Sequence, residues 1–154
     1  MSSAGYSGNI PRRLFYKRMI ETQSNGATEK TYPDADITNS IIGCAMTVHS
    51  TLGPGLLESV YEACLAYELK NIGLCVDRQK RLPVNYKGLT FDEGFRLDLV
   101  VENKIVVELK CLENILPIHE AQLFTYLKLS GHRTGLLINF FTKLLKDGIK
   151  RIAC

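Results

Sequence analysis

A single α/β domain, with a mixed sheet of four or five strands flanked by helices, is the fold class this sequence predicts. Three observations point to it. The 154 residues suffice for one core of ordinary size. Apolar residues recur at helical spacing in two early segments and one late segment. Between and after these lie short, strand-length aliphatic runs bounded by turn residues.

The elements follow in order. Asp36 or Thr38 can cap a first helix reaching Leu52, with Ile41, Ile42, Ala45, Val48 and Leu52 on one face. Gly53-Pro54-Gly55 breaks it. A second helix runs from Glu58 to Ile72, with Val60, Cys64, Tyr67 and Leu69 expected inward, and Gly73 ends it. A strand over Val76–Tyr86 is expected to bend near Pro83, and Lys87-Gly88 makes a turn. Strands over Phe91–Glu102 and Lys104–Leu109 come next. A third helix spans Ile118–Ser130 behind Pro117. Thr134–Asn139 reads as a buried strand and Ile149–Ile152 as an edge strand.

Residues 1–36 differ in character. They are rich in Ser, Gly, Asn and Thr and show no sustained period, so they are expected to form a disordered leader before a domain over 37–154. Within them Ile10–Ile20 is basic and partly apolar. In composition it resembles an organellar transit peptide; the plainer reading, and the one adopted, is a flexible tail.

Composition excludes some functions. No apolar run is long enough to cross a membrane, and no signal-type segment opens the chain. The formal charge of +3 is only mildly basic, too little for a protein that coats nucleic acid, though an enzyme gripping a short stretch of backbone needs no more. Cys44, Cys64, Cys75, Cys111 and Cys154 are odd in number and lack metal-site spacing. They read as reduced thiols of an intracellular, cytoplasmic protein.

The chemistry-bearing residues lie on one hairpin. By alternation Leu97, Leu99 and Val101, with Ile105, Val107 and Leu109, form one aliphatic face. The opposite face carries Arg96, Asp98 and Val100, with Val106, Glu108 and Lys110. Charges on strands this apolar are costly to bury unless they hold a metal or do chemistry. The alternative is a solvated outer face with an Asp98–Lys110 ion pair worth about 0–1 kcal/mol. Asp98 and Glu108 share a face only if the connecting loop has an odd number of residues. A three-residue loop with a bulge at Asn103 is therefore expected.

Two adjacent carboxylates repel, and a divalent cation relieves them. Oxygen donors favour Mg²⁺ or Mn²⁺, which would polarise a phosphodiester and acidify a bound water. Lys110, on the same side, can orient the nucleophile or offset transition-state charge.

The pattern Asp98 … Glu108-Leu109-Lys110 resembles the PD-(D/E)xK nuclease superfamily, the restriction-endonuclease-like fold, with Leu97 where the signature has Pro. Gly55-Leu56-Leu57-Glu58-Ser59-Val60-Tyr61 reads G-x-x-E-x-x-Y and resembles the GxxExxY proteins. That likeness continues through LPVNYKG (82–88), VVELK (106–110), HEAQLFTYLK (119–128) and GLLINF (135–140), over about residues 37–153. The resemblance implies that Glu58 adds an acidic group to the metal site, against a bland alternative in which it only answers its helix dipole. It further implies that Gln122 and Tyr126, one helical turn apart, match the Q-x-x-x-Y element facing the site and the substrate backbone. His49 and Tyr61 are expected to be structural, His119 a weak substrate candidate, Glu113 and Glu120 surface groups, and Cys111 buried and inert.

The expectation is a Mg²⁺- or Mn²⁺-dependent phosphodiesterase acting on nucleic acid, DNA ahead of RNA. Its catalytic residues would be Asp98, Glu108 and Lys110, its metal ligands Glu58, Asp98 and Glu108, and its orienting residues Gln122 and Tyr126. No membrane partner is expected, and a homodimer or larger complex is allowed. Two rivals are a non-cleaving module of the same fold that binds nucleic acid or protein, and a structural subunit pairing through its sheet edge.

Overall fold

The structure is a computed structural model and describes residues 34–154. The expectations for the leader and its basic patch fall almost wholly outside those residues. The ordered elements are α1 (Ala35–Leu52), α2 (Glu58–Asn71), β1 (Val76–Tyr86), β2 (Leu89–Val101), β3 (Ile105–Lys110), α3 (Pro117–Ser130), β4 (Thr134–Asn139), a 3₁₀ turn (Leu145–Gly148) and β5 (Ile149–Ala153). Five strands form one sheet in the order β1-β2-β3-β4-β5. Only β3 and β4 are parallel, and α3 makes the crossover between them. The fold is thus the mixed, helix-flanked α/β sheet of the restriction-endonuclease-like class. None of the described helices is long and apolar enough to cross a membrane.

Two apolar layers sandwich the sheet. On one face Ile41, Cys44 and Val48 of α1 and Tyr61, Leu65 and Leu69 of α2 pack on Leu99, Val101, Ile105, Val107, Leu109, Leu136 and Ile138. On the other, Leu123 and Leu127 of α3 close over Leu97, Val100, Val106 and Leu137. The middle strands are therefore buried on both sides, as their continuous apolar runs imply. Glu108 stands at the end of such a strand and is only 5% exposed.

Some details differ from the sequence reading. The first helix starts at Ala35, and Asp34 takes the cap position without a side-chain bond; Thr38 lies inside the helix, buried. On α2 Leu69 is buried as expected and Cys64 partly so, but Val60 and Tyr67 give way to their neighbours. Tyr61, Glu62, Leu65, Ala66 and Leu69 are buried, while Val60 and Tyr67 face out. An i, i+4 row through 61, 65 and 69 presents the larger side chains to the sheet. Leu97 belongs to the α3 layer although Leu99 lies in the other. The β1–β2 ladder is interrupted between them, where left-handed Gln79 (φ 51) stands opposite Asp98.

The loop parity is as the hairpin argument requires. Val101 pairs with Ile105 across the three residues Glu102, Asn103 and Lys104, and Glu102 and Asn103 are both left-handed. The β2–β3 ladder itself carries no register shift; the shift lies in β1–β2 between Leu82 and Val84, at Pro83. Gly94 makes that crossing. A Cβ there would come within 2.3 Å of Val84 Cγ2 and 2.9 Å of the Val84 backbone nitrogen. Gly94→Ala is expected to destabilise the fold by about 1–3 kcal/mol, read as a lower urea midpoint, because backbone must shift to admit the methyl.

Candidate active site

The β2–β3 ladder stops at Leu99↔Val107, one residue short of Asp98 and Glu108. Past that pair the Leu109 N–H donates to Asp98 Oδ2 at 2.9 Å. The strands end their pairing here, and a carboxylate takes a hydrogen bond that backbone would otherwise accept. Glu108 and Lys110 follow on β3, and their side chains meet: Lys110 Nζ donates to Glu108 Oε1 at 3.0 Å. The ion pair at this site is therefore Glu108–Lys110 and not Asp98–Lys110, and it is largely buried. Glu108 Oε2 is buried with no hydrogen-bond partner.

The electrostatics mark these groups as one cluster. Glu108 is pushed up to about 7 by burial first and then by the charge of Asp98, against the pull of Lys110. Asp98 is raised by burial, opposed by the Leu109 N–H. Glu58 is raised by burial and by Asp98. For Lys110 burial works downward, but Glu108, Glu58 and Asp98 together raise it. Carboxylates that hold one another's protons on are what a hard cation would relieve, and an unpartnered buried oxygen is a donor in waiting. Among the described residues no three His, Cys, Asp or Glu side chains already stand gathered as a cation cage.

Glu58 does more than answer a helix dipole. It opens α2, and besides Asp98 and Lys110 its carboxylate feels the backbone N–H of Cys111 at the end of β3. The G-x-x-E-x-x-Y segment has a structural reason. The Tyr61 hydroxyl donates to Gly53 O at 2.5 Å and accepts from Leu56 N at 3.1 Å, and its ring stacks on Phe140 at 4.4 Å. Tyr61 thus ties down the loop that delivers Glu58.

From the other side α3 supplies Gln122 and Tyr126, joined by Gln122 Nε2 donating to the Tyr126 hydroxyl at 2.7 Å. Tyr126 stacks on Phe95 at 4.7 Å. Its phenol is raised by burial and then by Glu108, which places it within reach of the cluster's charge. All six residues singled out by sequence therefore converge on one end of the sheet.

The remaining candidates are structural. His49 Nε2 lies 2.8 Å from Thr142 O. His119 Nδ1 accepts the Leu116 N–H at the start of α3. Glu120 pairs with Lys150 and Glu113 is exposed. Cys111 is only partly buried, yet burial and Glu58 push its thiol up to about 11, so it stays protonated and unreactive.

Three residues escaped sequence reasoning. Asn139, 2% exposed, bonds both backbone groups of Leu112 and holds the loop after Lys110. Glu62 and Gln79 lie beside Asp98. Glu62 shares its helix with Glu58 at i+4, a spacing that puts the two on one face, but an inward row read through Val60, Cys64 and Tyr67 leaves Glu62 outside it.

A family profile described as the PD-(D/E)XK nuclease superfamily matches residues 35–152. A solved structure titled "Crystal structure of SSO0001" is similar at 23% identity, covering 96% of this chain and 78% of that one with a TM-score of 0.44. No curated protein matches.

The raised Glu108 gives a stability test. A carboxyl raised on folding stabilises the fold fully below its ordinary 4.5, and that contribution is lost as pH rises through about 7. Glu108→Gln is therefore expected to unfold at a higher temperature than wild type at pH 8 without divalent cation. The gain should be on the order of 2–3 kcal/mol, shrinking toward pH 4.5.

Proposed function

Because the chain belongs to the PD-(D/E)XK nuclease superfamily, we propose that it is a divalent-cation-dependent phosphodiesterase acting on nucleic acid, DNA ahead of RNA. The observation that carries this reading is the orphaned, buried Glu108 Oε2 beside Asp98 and Lys110 where the β2–β3 ladder ends. Asp98 and Glu108 are the residues that would hold the cation, with Glu58 as the third acidic group. The donor set is all hard oxygen, which suits Mg²⁺ or Mn²⁺. When bound, the cation lowers the pKa of a water and polarises the scissile phosphate.

The chain's own residues divide the rest. The Asp98 carboxylate is aimed by the Leu109 N–H. Lys110, charged and largely buried, offsets negative charge on the phosphate as it develops, and Glu108 holds the ammonium in place until then. The Tyr126 hydroxyl, fixed by Gln122 and by the Phe95 ring, presents a polar group on the α3 side where a substrate strand would pass. The proposed recognition, through Lys110 and the Tyr126 hydroxyl, is of backbone and strand structure.

The test is cleavage of labelled single-stranded, duplex and flapped DNA, and of RNA, with Mg²⁺, Mn²⁺ or EDTA. Cutting is expected only with cation. It should fall about 10²–10³-fold or more in Lys110→Ala and disappear in Asp98→Ala and Glu108→Ala. A wild-type chain that cuts none of these, or variants that cut equally, would replace the enzyme by a non-cleaving module of the same fold.

A further inference from the structure

We infer that Gln79 is a positioning residue for Asp98, itself held by Glu62, so that an amide bridge from β1 sets the direction of the site's first carboxylate. The inference rests on Asp98 belonging to the proposed active site. Gln79 Nε2 donates to Glu62 Oε2, and the same nitrogen lies 3.4 Å from Asp98 Oδ1. Glu62 is 5% exposed, and its other oxygen accepts from Arg78 Nε at 2.9 Å. Asp98 Oδ2 is occupied by the Leu109 N–H. The bridge therefore orients the remaining oxygen of Asp98, the one left to face a ligand.

The backbone supports the same assignment. Gln79 has φ 51, a conformation that side chains other than Gly, Asn and Asp seldom adopt. It drops out of the β1–β2 ladder at the one position opposite Asp98, between the pairs Arg78↔Leu99 and Lys80↔Leu97. Departures of this kind persist where surrounding structure enforces them, and they gather at functional sites. The chemistry of the bridge is also specific. A buried carboxylate, Glu62, and a partly buried one, Asp98, facing one donor need two protons and no added charge, which a side-chain amide supplies. A lysine there would neutralise Asp98 and weaken its pull on a cation. Arg78 pairs with Glu62 from the far side instead, so the bridge brings no cation to Asp98. Glu62, with both oxygens engaged, is support and not a ligand, in contrast to Glu58.

Gln79→Gly separates the roles, because glycine adopts φ 51 freely while removing the bridge. The variant is expected to fold with a wild-type circular dichroism spectrum. Its affinity for Mn²⁺ alone, by titration calorimetry, should weaken tenfold or more, and kcat should fall at least tenfold with KM within twofold. Glu62→Gln, which keeps an acceptor for Gln79, should retain more Mn²⁺ affinity than Glu62→Ala. In the cation-free protein the Gln79 side-chain amide signals should move in both Asp98→Asn and Glu62→Ala. Amide signals unchanged by those substitutions, or wild-type Mn²⁺ affinity in Gln79→Gly, would overturn the bridge. A wild-type chain that cuts nothing overturns the nuclease reading and leaves these comparisons in force; if it takes up no Mn²⁺ either, the amide signals decide.

Discussion

The hydrogen bond from the Leu109 N–H to the Asp98 carboxylate is the contact on which the site depends. Antiparallel strands normally saturate their N–H groups against each other's carbonyls. Here β2 and β3 stop pairing at Leu99↔Val107, and a side chain takes over. The change admits charge to the end of an otherwise apolar strand. Had the ladder run on, its edges would have been closed by backbone, and the end of β3 would have had no room for groups that need another partner.

That arrangement sets the energetics around it. Glu58, Asp98 and Glu108 are all driven toward their protonated forms by burial, and Lys110 compensates only part of the charge. The apolar layers on both faces bear the expense of this polar end. Such a balance, stability surrendered locally and recovered in the core, is common where a fold is shaped by a ligand.

Much of this was legible in the chain. The strands announced themselves as aliphatic runs, and the lone charges within them, at 98, 108 and 110, stood out because nothing in a pure packing role calls for them. A shared face for Asp98 and Glu108 required an odd loop, and Glu102–Lys104 provides it. What stayed hidden depended on facts a linear pattern does not hold. The face of α2 differed because Tyr61 and Leu65 outcompete Val60 and Tyr67 for the sheet, and with that face went Glu62. Leu97 changed layers because the ladder breaks at Gln79, and the break comes from cross-strand pairing some twenty residues away in sequence. The resemblance to nucleases carried Gln122 and Tyr126 to the site; their spacing alone would have allowed a polar outer stripe.

The loops that frame the site are each fastened by a single polar side chain. Tyr61 clasps the segment before Glu58, and Asn139 clasps the segment after Lys110. Neither fastener is on the loop it restrains, and the hydrogen bonds each makes to that loop go to main-chain atoms. Apart from Gly53 and Gly55, held at positive φ, the residues of those loops can vary in identity while their paths stay put. Side chains at 56 and 112, whose main-chain groups Tyr61 and Asn139 hold, can therefore change without disturbing how the loops beside Glu58 and Lys110 are tethered.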